Sequence, residues 1–198
     1  MYITKHSNVT DRTVLDSFWE LYEVSYLPLA ASDPSRELLF RSEFDAVLAD
    51  PTNRITVLRD ENRPIAMSVS ATDIGATRYL SRPFFEQMYP DRMAAGLVHY
   101  VMWIVVHPDH QASKALFDLA RAGLAQEQEE GALVVFDLPE SNQAVEHGGA
   151  AELLMRLARL LGPVSLKSFG VTRYYALDFA PIATEIVPPA VDGERVAR

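Results

Sequence analysis

The chain has no cysteine among its 198 residues. Disulfides, thiolate nucleophiles and cysteine-ligated zinc are therefore excluded from its chemistry. A cysteine-free chain also fits a reducing compartment, and a cytoplasmic location is the expectation. Positive charge is in deficit: 18 Lys and Arg stand against 27 Asp and Glu, a formal net charge of −9. Nucleic acid and anionic membranes need concentrated Lys and Arg, so neither is an expected partner. No apolar run approaches the roughly 18 residues of a membrane span, and the start at Met1 and Tyr2 leads into no signal-peptide core. The phosphate-cradling patterns Gly-x-x-x-x-Gly-Lys-Ser/Thr and Gly-x-Gly-x-x-Gly are missing, so nucleoside triphosphates and dinucleotides lack support. Internal repeats and low-complexity blocks are missing too.

Apolar periodicity supplies the rest. Residues 2–6 read as a strand. Thr10 or Asp11 can cap a helix in which Val14, Phe18, Leu21, Tyr22 and Ser25 recur at helical spacing. Pro28 is expected to end it. A second helix is expected over 36–49, with Leu39, Phe44, Val47 and Leu48 on its buried side. Strands over 55–59 and 65–72 flank a hairpin loop. Residues 83–89 suit a short helix stopped by Pro90. The segment 97–106 is the longest apolar strand, expected to be central and buried on both faces. A helix follows over 113–128, with Leu116, Leu119, Ala120, Gly123 and Leu124 as its inner stripe. A strand over 132–137, a helix over 150–161 and two strands over 165–169 and 172–179 complete the pattern. Residues 181–198 read as an extended tail.

The order is β-α-α-β-β-β-α-β-α-β-β. The early hairpin demands antiparallel pairing and the later β-α-β demands a parallel pair. An α/β (α+β) fold satisfies both, with a mixed central sheet flanked by helices in one domain over residues 1–180.

The segment from Trp103 to Phe117 is a strand, a turn and a helix start. First-turn amides and the helix dipole make such a place suited to an anion. Its Val106, Pro108 and Gln111 match the signature Val-x-Pro-x-x-Arg/Gln-Gly-x-Gly/Ala. That signature and the element order resemble the GNAT superfamily of acyl-CoA-dependent N-acyltransferases. Ala112 stands at the first glycine and Lys114 at the second. Glycine there lets amides approach a pyrophosphate without a Cβ in the way.

The resemblance implies acetyl-CoA as co-substrate and the amine of a small molecule as acceptor. It implies that Gln111, Ala112, Ser113, Lys114, Ala115 and Leu116 surround the pyrophosphate. The main chain of Ile104, Val105 and Val106 would bond the pantetheine arm, with Asn142 beside it. Many relatives carry a tyrosine acid in the helix over 150–161, which has none here. Tyr174 or Tyr175 would have to protonate the leaving thiolate in its place.

A general base must free the attacking amine. Strict alternation puts Tyr100, Met102, Ile104 and Val106 on one face of the central strand. His99, Val101, Trp103, Val105 and His107 then lie on the other. The resemblance places the base on the Val106 face, which leaves Tyr100. A β-bulge would shift the register and bring in His99. Both also read as ordinary strand residues. His107, Asp109 and His110 do not converge easily around Pro108, and no metal is expected. Phe18, Trp19, Tyr22 and residues 83–89 read either as core or as acceptor-pocket lining. Glu86, Asp91 and Glu140 could attract an amine.

Two rival readings stand beside the acetyltransferase. One is a noncatalytic GNAT-like ligand-binding domain. The other is an acyltransferase fed by an acyl carrier protein, against which the net charge of −9 argues. The sequence leaves oligomeric state open, a homodimer included.

Overall fold

A computed structural model describes residues 1–33, 35–36, 38–111, 113–138 and 150–170. A five-stranded sheet runs in the order β1-β2-β3-β4-β5, which is also chain order. Its strands are β1 (Tyr2–His6), β2 (Asn53–Asp60), β3 (Arg63–Ala71), β4 (Val98–Val106) and β5 (Leu133–Phe136). The first three pairings are antiparallel and β4–β5 is parallel. The mixed sheet expected from the hairpin and the β-α-β unit is thus present. The hairpin turn is tighter than expected: Glu61 and Asn62 both take positive φ, 44° and 70°. That is the backbone of a type I′ turn, whose twist matches its strands.

Helix α1 (Arg12–Ser32) begins where the Asp11 carboxylate accepts the Val14 N–H at 3.0 Å. Pro28 lies inside this helix and does not end it. Proline deletes the bond to the carbonyl four residues earlier, and that carbonyl belongs to the exposed Val24. Water can replace the bond there. Helix α2 (Arg41–Ala49) starts five residues later than the sequence suggests. Leu38 and Leu39 pack against the core without helical backbone, and the Leu39 N–H donates to the buried Tyr22 hydroxyl at 3.2 Å. That tertiary bond outweighs local propensity.

Between β3 and β4 lie α3 (Arg82–Met88) and α4 (Pro90–Ala94), with Pro90 starting α4. Helix α5 (Ala115–Glu130) crosses back from β4 to the parallel β5 and ends at Gly131, where φ is +69°. Helix α6 (Ala150–Arg159) packs on α5. The strand expected over 165–169 is a correction: residues 163–170 have no regular secondary structure. Phe169 instead sets its ring against Phe84, Phe85 and Tyr89, with centroids 5.8, 5.8 and 6.0 Å away. The strand expected over 172–179 and the tail lie outside the described residues.

Both sheet faces are covered. Under α1 and α2 lie Phe18, Tyr22, Phe44, Leu48, Val57, Met67, Val69, Trp103 and Val105. Under α5 lie Leu58, Ala66, Ala115 and Leu119, with Ile104 and Val106 against them. Phe18 and Tyr22 are therefore core.

Candidate active site

The alternation along β4 breaks once. Val69 of β3 faces Trp103 and the next residue, Ser70, faces Val101. Met102 is left over as a β-bulge, which exchanges the faces of everything before it. The expectation that Tyr100 shares a face with Val106 is therefore corrected. Tyr100 lies on the side of Trp103 and Val105, among Ile74, Phe85, Val98 and Val135. His99 lies on the Val106 side, beneath α5.

On that side, His99 has both ring nitrogens engaged. Nδ1 meets Glu127 at 2.5 Å and Nε2 meets the Gly96 carbonyl at 3.1 Å. Arg54 of β2 bridges to Glu127 at 3.2 Å and to Glu130 at 2.7 Å. The ligand atoms of His99, Glu127 and Glu130 lie within 4.8 Å of one another, close enough for a cation. The Arg54 guanidinium already supplies positive charge to both carboxylates, so the cluster holds together as an ionic clamp between β2, β4 and α5.

Burial opposes a charged His99 ring, but the hydrogen bond and charge of Glu127 outweigh it and raise the imidazole above its usual 6.5. The folded state therefore holds the proton more tightly than the unfolded chain. This contribution to stability is complete below 6.5 and is lost as pH rises through the raised value. Between about pH 6 and about pH 9, wild type should lose more thermal stability than His99→Gln. Equal slopes in the two proteins would show that the clamp is not the titrating element.

The other side of β4 opens into a cleft. Pairing with β5 stops at Val101 opposite Phe136, whereas pairing with β3 continues to Val106 opposite Ala66. From Met102 onward the far edge of β4 has no β5 residue opposite it. A cleft of about 140 Å³ follows this edge, lined by Met102, Trp103, Ile104, Phe136, Asp137 and Leu138, with Tyr26 and Arg36 from the α1 side.

One polar network stands in it. The Tyr100 hydroxyl donates to Asp137 Oδ1 at 2.6 Å. Arg36 Nη1 meets Asp137 Oδ2 at 3.2 Å, and its Nη2 reaches the Asp137 carbonyl at 3.4 Å. Tyr26 lines the cleft beside Arg36. Burial, reinforced by the bond to Asp137, pushes the Tyr100 hydroxyl far up. Burial likewise raises Tyr26 against the opposing pull of Arg36. Both phenols thus keep their protons at neutral pH.

At the end of β4, His107 N–H bonds back to the Ile65 carbonyl at 2.8 Å, and Pro108–His110 forms a single 3₁₀ turn. Ser113 Oγ donates to the His110 carbonyl at 2.6 Å and accepts the Ala115 N–H at 3.1 Å. Lys114 and Gln111 are exposed beside the start of α5, Leu116 is half-buried, and Ala115 faces inward with no exposure. Val105 is buried under α1, while Ile104 and Val106 pack against the α5 side. Five residues singled out from the sequence, Ala112, Glu140, Asn142, Tyr174 and Tyr175, lie outside the described residues.

Asp137, Arg36 and Tyr26 are cleft residues that sequence reasoning passed over. Asp137 carried a signal: it follows a buried parallel strand directly, and ligands in such sheets bind beyond strand C-termini. Arg36 carried none, because it reaches its partner across 101 residues of chain.

No family model matches the sequence, and no curated protein matches it. Solved structures do. An aminoglycoside acetyltransferase from an uncultured soil metagenomic sample, solved with sisomicin and with trehalose, is similar at 13% identity. The match covers 89% of this chain and 96% of that one, with TM-scores of 0.51 and 0.52. The ribosomal-protein-S18-alanine N-acetyltransferase from Escherichia coli is similar at 13% identity over 81% of this chain and 77% of that one, with a TM-score of 0.50. With this strand order, this parallel crossover and these likenesses, the chain carries the fold of the GNAT acetyltransferases.

Proposed function

We propose that the protein is an N-acetyltransferase that moves an acetyl group from acetyl-CoA to the amine of a small molecule. The observation that carries this reading is the edge of β4 beyond Val101, which has no β5 partner among the described residues and lines a cleft from Met102 to Ile104. An extended amide-bearing arm can pair with a strand edge as a further strand would. A pyrophosphate suits the first turn of α5, beside the exposed Lys114. The residues present therefore fit a CoA thioester. Ser113 ties down the turn, donating to the His110 carbonyl and accepting the Ala115 N–H.

In the transfer, the amine nitrogen bonds to the thioester carbonyl carbon and the carbon–sulfur bond breaks. The ammonium gives up two protons, one before attack and one from the nitrogen of the tetrahedral intermediate; the thiolate takes one and the other passes to solvent. Asp137, a carboxylate in the cleft, would hold the ammonium and receive its proton. Tyr100 acts as a positioning residue, fixing one carboxylate oxygen by its hydrogen bond. The reading rests on Tyr100 rather than His99, whose nitrogens are engaged on the other face. Tyr174 and Tyr175 remain the proposed proton donors to the thiolate. A main-chain N–H on β4 would stabilise the oxyanion.

Titration calorimetry with acetyl-CoA tests the first half of this reading, and we expect one site per chain. Release of CoA thiol in the presence of mixed amines tests the second. Absence of binding at millimolar acetyl-CoA would sink the proposal. Binding without any turnover would favour a noncatalytic domain on the same fold.

A further inference from the structure

Asp137 does not stand in the cleft as a lone carboxylate. It forms an ion pair with Arg36, and a buried tyrosine stands beside each partner. Tyr26, 8% exposed, lies close enough to feel the guanidinium charge, and Tyr100, 5% exposed, bonds the carboxylate. The side chain of Arg36 is 15% exposed and that of Asp137 is 59% exposed. The cleft therefore offers a positive and a negative group side by side, 3.2 Å apart.

This pairing constrains the acceptor. A simple amine that takes the Asp137 oxygen now facing Arg36 displaces that guanidinium. That leaves a largely buried guanidinium without its counterion, and removing one partner of such a pair is costly. An acceptor that carries its own carboxylate avoids the cost. Its ammonium replaces Arg36 at Asp137 while its carboxylate replaces Asp137 at Arg36. Every charge stays paired, and guanidinium and carboxylate can meet through two parallel hydrogen bonds. Aromatic rings stand on both sides of the pair, Tyr79 against Tyr100 at 6.1 Å and Tyr26 against Tyr22 at 5.0 Å.

We propose that the acceptor is zwitterionic: an α-amino acid whose ammonium binds Asp137 and whose carboxylate binds Arg36. This rests on the acetyltransferase reading and adds to it the class of amine. The chemistry stays that of the transfer above, with the free acid retained in the product. Tyr100 is a positioning residue for the contact with Asp137.

The test compares each common α-amino acid with its own carboxamide as acceptor, using acetyl-CoA and reading CoA thiol release. For at least one side chain the free acid should be favoured by at least about tenfold in kcat/KM, the difference lying in KM. In Arg36→Gln that ratio should collapse to near one, and Arg36→Lys should restore part of it. The wild-type comparison stands even if a variant fails to fold. Carboxamides acetylated as well as the acids would overturn the inference. So would acetyl-CoA binding with no acid acetylated, or a ratio that survives in Arg36→Gln. Those outcomes leave acetyl-CoA binding, and with it the parent reading, untouched. Failure of acetyl-CoA to bind at all overturns both.

Discussion

Asp137→Asn lowers the rate of acetyl transfer by about a hundredfold or more, within the range that general acid–base groups contribute. The substitution is nearly isosteric, and the amide oxygen can still accept the Tyr100 hydroxyl. What is lost is the negative charge that holds an ammonium and the basic oxygen that takes its proton. Arg36 loses its counterion as well. Acetyl-CoA binding should persist, because the β4 edge and the start of α5 are untouched, so calorimetry separates a damaged acceptor site from a damaged donor site. Tyr100→Phe makes a graded companion. It removes only the hydroxyl that fixes one carboxylate oxygen, so it should cost less than Asp137→Asn. Transfer at the wild-type rate in Asp137→Asn would remove the carboxylate from the mechanism. A loss in Tyr100→Phe equal to that in Asp137→Asn would assign the phenol a direct part.

The largest effect on stability belongs to Phe44→Ala, which should cost about 3–5 kcal/mol in urea unfolding. Phe44 has no exposure. Its ring centroid stands 5.2 Å from Trp19, 5.1 Å from Tyr22 and 6.1 Å from Trp103. These rings join α1, α2 and β4, so they cannot close over the gap without moving an element. A methyl group in place of the ring removes the transfer energy and leaves a cavity in a close-packed cluster. Phe40, 74% exposed at the start of α2, is the control, and Phe40→Ala should change stability by less than about 0.5 kcal/mol. A cost below about 1 kcal/mol for Phe44→Ala would mean that the cluster collapses freely. The same substitution should impair transfer, since Trp103 lines the cleft and leans on Phe44.

Patterns local to a few turns were legible in the sequence. Helical spacing from Val14 to Ser25 located the buried face of α1, and the apolar run before His107 located β4, which stands fourth of the five described strands and not at the centre. Features decided by distant partners were not. Pro28 looked like a stop because propensity ignores the solvent beside Val24. The segment ahead of α2 looked helical because nothing nearby reveals the bond from Leu39 to Tyr22. The match at Val106, Pro108 and Gln111 pointed to the right turn and the right fold. It gave no hint of the Arg36–Asp137 pair, whose members belong to opposite halves of the chain. A bulge was foreseen as a device that could exchange His99 and Tyr100, but no local sign distinguished a strand with one from a strand without.

The extra residue at Met102 makes β4 two half-strands joined out of phase. In an evolving lineage this frees the chemistry of residues 98–101 from the packing of residues 103–106. Substitutions on one side of the insertion need no parity match on the other. A single-residue deletion there would reverse that freedom at once. It would turn the imidazole of His99 toward the aromatic core and the phenol of Tyr100 toward Glu127 and Arg54, abolishing clamp and cleft network together. Length changes in this strand are therefore far less tolerable than residue changes.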